Sequence, residues 1–173
     1  GVNYEYAHYF VNEFARFANN FGPLQNDYNS DLYMNKWGVF AQVSKPFYKE
    51  KLMLSLGFRS DANDFNDEMR SLIDQFSPRF SASWNFAPSW SFNFNTGVYY
   101  QLPPYPLLGF RNSERGELVN RRNGVTYIRN RQIVGGFEYN ASSNTKITLE
   151  SFYKQYNQYP FMLTDSISLA NLG

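Results

Sequence analysis

Strict alternation of residue character is the feature that most limits what this chain can become. From Trp90 to Gln101, the residues Trp90, Phe92, Phe94, Thr96, Val98 and Tyr100 fall on one side. Ser91, Asn93, Asn95, Gly97, Tyr99 and Gln101 fall on the other. A helix would scatter these residues around its circumference, whereas a strand sorts them into an apolar and a polar face. The pattern recurs along the chain. Leu52, Leu54, Leu56 and Phe58 oppose Met53, Ser55, Gly57, Arg59 and Asp61. Phe80, Ala82, Trp84 and Phe86 oppose Arg79, Ser81, Ser83 and Asn85. Trp37, Val39, Ala41 and Val43 oppose Gly38, Phe40, Gln42 and Ser44, and Ile133, Gly135, Phe137 and Tyr139 oppose Gln132, Val134, Gly136 and Glu138. Residues 146–156 alternate less cleanly, and residues 2–11 less still, with Tyr4 and Tyr6 in phase.

The spacing between these segments alternates too. Short connections with turn-forming residues lie at 46–50, 87–89 and 141–144, and long ones at 12–34, 62–76, 102–131 and 157–173. Strands of about 9–12 residues suit a tilted crossing of a hydrocarbon layer. The expectation is an all-β, antiparallel transmembrane β-barrel segment of about seven strands, with short periplasmic turns and long extracellular loops.

A soluble sandwich would also alternate, and three features oppose it. The polar faces carry Asn, Ser, Gly and Gln rather than Lys and Glu. Aromatics gather at strand ends (Trp37, Phe47, Trp84, Phe86, Trp90, Tyr99, Tyr100), as in interfacial girdles. Loop lengths are asymmetric. Composition agrees, because aromatics make up 20% of residues while mean hydropathy is −0.53, which suits a wall with one greasy and one wet face. No stretch is apolar and long enough for a membrane helix. The chain opens on Gly1-Val2-Asn3-Tyr4, without an initiating Met or a signal region, as a mature or excised segment would. There is no Cys, which removes disulfides and thiolate metal sites, and the net charge of +1 gives no argument for nucleic acid.

No catalytic constellation stands out, and no enzyme activity or cofactor is expected. The single His, His8, has no nucleophile motif near it and reads as an ordinary strand residue. Asp61, Asp64, Asp67, Glu68 and Asp74 form an acidic cluster in a predicted loop. It lacks the order of a dedicated calcium loop and reads as solvated, so no metal site is expected. The 102–131 loop carries Arg111, Arg115, Arg121, Arg122, Arg129 and Arg131, balanced in part by Glu114 and Glu117. Arginines suit an anionic ligand or lipopolysaccharide phosphates. Tyr105, after Pro103 and Pro104, leaves its strand toward the barrel mouth, where it could stack on a sugar or pack on a plug. Tyr105, Arg111, Arg115, Arg121 and Arg122 are therefore the candidate ligand-binding residues. Arg59, Arg79, Glu138, Glu150 and Lys154 share the lumen-facing phase and could form charge ladders across neighbouring strands.

The segments 76–84 (Phe-Ser-Pro-Arg-Phe-Ser-Ala-Ser-Trp) and 97–105 (Gly-Val-Tyr-Tyr-Gln-Leu-Pro-Pro-Tyr) resemble a strand and the following strand-to-loop segment of TonB-dependent outer-membrane receptors of the Bacteroidetes type. Residues 132–139 (Gln-Ile-Val-Gly-Gly-Phe-Glu-Tyr) and 146–154 (Lys-Ile-Thr-Leu-Glu-Ser-Phe-Tyr-Lys) resemble the next hairpin. The resemblance covers nearly the whole chain, and the succession of motifs is more specific than any one of them. It implies a receptor with a barrel of about 22 strands and an N-terminal plug, in the bacterial outer membrane, taking up a scarce nutrient with energy relayed by TonB. Residues 1–173 would be one fragment of that barrel domain, without plug, TonB box or remaining strands. Seven strands do not close a barrel, and open edges are intolerable in lipid. The implied partners are the remaining strands and plug of the same receptor, TonB through the part not included, and membrane lipid. A surface lipoprotein seated on the loops is left open. In such receptors the wall lines the plug, so the five lumen-facing charges are expected to hold the plug. The ligand is left open between a glycan, a peptide and an iron chelate. The alternatives are a non-transporting barrel, such as an adhesin or assembly scaffold, and a soluble carbohydrate-binding sandwich.

Overall fold

The computed structural model describes residues 1–19, 22–111, 116–142, 144–162 and 167–168, and the side chains of these apart from 15–19, 22–28, 162, 167 and 168. Seven strands follow in chain order: β1 (Val2–Asn19), β2 (Gly22–Phe47), β3 (Leu52–Asn63), β4 (Ser77–Ala87), β5 (Trp90–Gln101), β6 (Ile128–Ser142) and β7 (Thr145–Asn157). They form one sheet in which each strand pairs antiparallel with its chain neighbours. Among the described residues no second layer covers it, so the sandwich alternative does not hold. A separate two-residue ladder joins β8 (Phe161–Met162) and β9 (Ile167–Ser168). The long connections hold a 3₁₀ turn at Asp67–Met69 and two single-turn helices, α1 (Tyr105–Leu108) and α2 (Val119–Arg122).

The register shows how the sheet is tilted. Phe47 and Leu52 close the β2–β3 turn. Following the ladder sideways, Leu52 pairs with Trp84, Trp84 with Phe92, and Phe92 with Phe137. Trp84 stands three residues from Ala87 (87 − 84), which closes the β4–β5 turn. Phe137 stands five residues from Ser142 (142 − 137), which closes the β6–β7 turn. Each hairpin therefore slides along its predecessor in the same direction. With all turns at one level the strands lean, which is the stagger that barrel closure requires.

Alternation puts Val43, Leu56, Phe80, Thr96, Ile133 and Tyr153 in one row of the apolar face. Leu56 is 60% exposed, Ile133 52% and Leu149 72%. Such a face is stable only against something as apolar as itself. At its turn end the aromatics touch one another: Trp84–Phe86 at 5.5 Å, Phe86–Trp90 at 6.4 Å, Trp90–Tyr139 at 4.6 Å and Phe92–Phe137 at 5.0 Å between ring centres. This is the interfacial girdle that the strand-end aromatics imply. Tyr99 is an exception; it falls on the polar face, beneath Arg79.

Residues 12–34 differ from expectation. They are not a loop, because β1 and β2 continue past the other strands as one paired hairpin, in unbroken register from Val2↔Val39 to Asn19↔Gly22. Above the lipid a strand needs no greasy face, so alternation fades while the backbone ladder persists. Strand lengths accordingly run beyond the expected range, to 18 residues in β1 and 26 in β2.

The buried core lies at this end. Leu32, Met34, Phe65, Met69, Leu108 and Tyr127 are all at most 4% exposed and form one cluster, with Tyr9, Tyr105 and Leu107 packed against it. Leu32 and Met34 share the polar-face phase of β2 with Lys36 and Gly38. Segments 64–76, 102–111 and 116–127 thus fold inward over the top of the wall as a cap.

Candidate functional site

The polar face below the cap is the surface that carries chemistry. Arg59 on β3 grips Asp61 on the same side of the strand, Nε to Oδ2 at 2.5 Å and Nη2 to Oδ1 at 2.8 Å. Asp61 faces Asn3 across Gly38. A Cβ there would sit 2.5 Å from both Asn3 Oδ1 and Asp61 Oδ1, so only glycine leaves room for the two polar groups. One step higher, Lys36 Nζ pairs with Glu5 at 2.6 Å and donates to the Tyr105 hydroxyl at 2.8 Å. Asn63 donates to the Tyr127 hydroxyl at 2.9 Å. Burial pushes the Tyr127 phenol above its ordinary range, opposed by that donated hydrogen bond.

Lower on the wall, Gly57, Arg79, Gly97, Gln132 and Lys154 form one cross-strand row. Arg79 sits 4.6 Å above the Tyr99 ring. Unlike Arg59, it has no carboxylate partner among the described residues. Two depressions meet at Arg59 and Arg79. One, of about 330 Å³, is lined by Asn3, Glu5, Lys36, Asp61 and Tyr127. The other, of about 260 Å³, is lined by Gln42, Ser55, Ser81, Asn95 and Tyr99. Asn95 Oδ1 is buried there without a hydrogen-bond partner.

The five charges expected to face the lumen all lie on this polar side by register. Arg59 and Arg79 are diagonal neighbours, since Arg59 pairs with Ser77 and Gly57 with Arg79. Glu138 and Glu150 are diagonal neighbours too, with Gly136↔Glu150 and Glu138↔Thr148. Glu138 is held by Lys146 at 2.7 Å. Lys154 lies 5.1 Å over the Phe152 ring. The acidic cluster does not act as one group. Asp61 belongs to β3 and binds Arg59, Asp64 accepts from Asn35, and Asp67 pairs loosely with Arg70 at 3.6 Å. No group of metal-ligating side chains assembles among the described residues.

The candidate ligand residues divide. Tyr105 opens α1, stacks on Tyr9 at 6.1 Å and accepts from Lys36. Arg111 donates to the carbonyls of Gly116, at 2.6 Å, and Asp31, tying the loop to β2. Both build the cap. Arg121 lies over Phe65 at 5.3 Å and Arg122 reaches Glu117 at 3.4 Å; both are exposed. Arg115 lies outside the described residues. His8 sits in β1, 2.6 Å from Asp31 and stacked on Tyr33 at 4.2 Å. Glu5, Lys36, Asn63 and Tyr127 join the site without having been expected there, and Tyr99, expected in the aromatic girdle, lies under Arg79 instead. Lys36 and Glu5 were detectable as opposite charges on two alternating segments. Tyr127 joins Asn63 from 64 positions away, and nothing local marks it.

One sheet, greasy outside with an aromatic girdle, polar inside, tilted and capped at one end, is the wall of a membrane barrel. A family model described as TonB dependent receptor-like, beta-barrel matches residues 1–173. The chain belongs to that family. No curated protein matches it. Barrels of TonB-dependent receptors are outer-membrane transport proteins rather than enzymes, and the full receptor includes a plug and engages TonB. The polar face described above is the face such a barrel turns to its lumen.

Proposed function

We propose that this chain is part of the wall of a TonB-dependent receptor of the Bacteroidetes type that actively takes up a nutrient, a glycan, a peptide or an iron chelate, across the outer membrane. The missing barrel strands and the plug are supplied by the rest of the same receptor. The observation that carries the reading is the charged lumen wall under an inward-folded cap. Arg79 stands on the polar face with no ion-pair partner among the described residues, near Asn95, whose Oδ1 is buried without a hydrogen-bond partner. Arg59, Arg79, Glu138, Glu150 and Lys154 serve the plug, with Arg79 taking a plug carboxylate. Arg121 and Arg122 meet the ligand from the cap, Tyr105 and Arg111 shape the surface that holds them, and Arg115 belongs to the same loop.

The test is growth of a strain lacking the receptor on each candidate nutrient, with complementation by wild type, R121A/R122A or R79A. Uptake should be restored by wild type and abolished without TonB. R121A/R122A should raise the substrate concentration needed for half-maximal uptake about tenfold, the scale of losing a charge-assisted contact. R79A should leave that concentration unchanged while altering the uptake rate. Growth on every candidate nutrient independent of the receptor would overturn the transport reading in favour of a non-transporting barrel.

A further inference from the structure

The apolar face is not a uniform greasy surface. Across β3 to β7 it holds a groove of about 480 Å³ lined by Leu56, Pro78, Phe80, Val98, Ile133 and Tyr153. A second groove, of about 520 Å³, shares Ile133 and Tyr153 and continues toward the turns past Gly135, Ser151 and Leu149. Its floor is low because the row Phe94, Gly135, Ser151 places two small residues beside a large one. A Cβ on Gly135 would meet nothing closer than 3.7 Å, so the absent side chain answers no steric need of the sheet.

At its loop end the groove runs into charge. Arg131 lines it beside Gln155 and is exposed. Arg129, two residues higher on the same face of β6, pairs across to Tyr100 and Asn157, and its Nε is buried without a hydrogen-bond partner. Neither arginine takes part in an ion pair among the described residues. Arg131 stands eleven residues above Ser142 (142 − 131), about the height at which a tilted strand leaves the hydrocarbon layer. Two cations with no counter-charge among the described residues, at the outer interface, head a trough shaped for a chain. Arginine binds phosphate in bidentate fashion, and basic groups at a membrane surface read as lipid-headgroup sites.

We propose that this outward groove is a lipid site for the phosphorylated, multiply acylated glycolipid of the outer leaflet. Arg131 and Arg129 hold a headgroup phosphate, Gln155 and Asn157 supply amide hydrogen bonds, and an acyl chain lies over Thr96, Gly135 and Ser151. The site rests on the outer-membrane position of the barrel and not on the identity of any nutrient.

The experiment is native mass spectrometry of the full receptor, extracted from outer membranes in mild detergent and reconstituted with purified glycolipid or its enzymatically dephosphorylated form. Wild type should retain the phosphorylated glycolipid and hold the dephosphorylated form about tenfold less well. R129Q/R131Q should lose a similar factor for the phosphorylated form and none for the dephosphorylated one. G135F, which fills the trough and leaves the charges, should weaken both forms alike. Heat-modifiable gel migration confirms that each variant is folded. If R129Q/R131Q does not fold, the comparison of the two lipid forms on wild type decides. Equal retention of both forms by wild type, or retention of a glycerophospholipid in preference to the glycolipid, would overturn the proposal. Uptake is read in a separate assay, so a failed lipid site and a failed transport reading remain distinguishable.

Discussion

The cap and the wall are built by opposite rules. In the cap, Phe65, Met69 and Leu108 are at most 1% exposed and pack against Leu32 and Met34 from the wall's own polar-phase side. In the wall, Leu56, Ile133 and Leu149 are more than half exposed and rest on backbone hydrogen bonds and on whatever solvent covers them. The cap is folded like a small water-soluble domain, by burying apolar area against protein. The wall is folded by pairing backbone groups between neighbouring strands, with its greasy face left for lipid. The same chemical property, apolarity, therefore does different work at the two ends of one sheet.

Breaking the cap should have the largest effect. Phe65→Ala removes the largest fully buried side chain among the described residues and should cost the cap about 3–5 kcal/mol. Hydrogen exchange should accelerate across 64–76, 102–111 and 116–127, while wall amides and heat-modifiable migration stay unchanged. Equal loosening of the wall would show that cap and wall are one cooperative unit. Next, Leu56→Arg should cost about 2–4 kcal/mol in a bilayer, from placing a charge on the lipid face. Leu56→Ala should cost far less than Phe65→Ala, because acyl chains close over the site and no cavity remains. Reversible urea unfolding in lipid vesicles measures both, and a large cost for the alanine variant would mean that protein covers this face.

A smaller effect sits in the β2–β3 turn. Tyr48, Lys49 and Glu50 all have positive φ, at 51°, 55° and 68°, a region that side chains with a Cβ disfavour. Glu50→Gly should stabilise the hairpin by about 1 kcal/mol, read in the same unfolding assay. The smallest concerns pH. The Tyr127 phenol is raised by burial, so its contribution to the cap is fully present below the unfolded value of about 10 and is lost as pH rises through the higher folded value. Cap exchange rates should climb in that alkaline window, and Tyr127→Phe should remove the climb. Loosening that begins well below pH 10 in the wild type would assign it to another group.

How much was legible follows from the same contrast. The residues from Trp90 to Gln101 announced their strand, and its bounds agree with the structure, because lipid on one side and water on the other force period two on every strand that crosses. The extension of β1 and β2 was read as a loop, because Asn12, Asn29, Ser30 and Asp31 lie in a part of the hairpin where neither face meets lipid. Arg59 and Arg79 could be placed on the lumen face from phase alone. That Arg59 is neutralised by Asp61 while Arg79 is not depended on side-chain reach, which alternation does not encode. Tyr105 and Arg111 could be placed in the 102–131 segment from the sequence; their contacts to Tyr9, Lys36 and the β2 backbone could not.

By itself the sequence determined the strands within the alternating segments, their order and the apolar and polar sides along them, because these follow from a two-residue period repeated against two solvents. Only the tertiary structure decided the cap, the stagger between hairpins, and the meeting of an outward groove with Arg129 and Arg131. Those depend on which distant segments come side by side, and a local pattern carries no record of that.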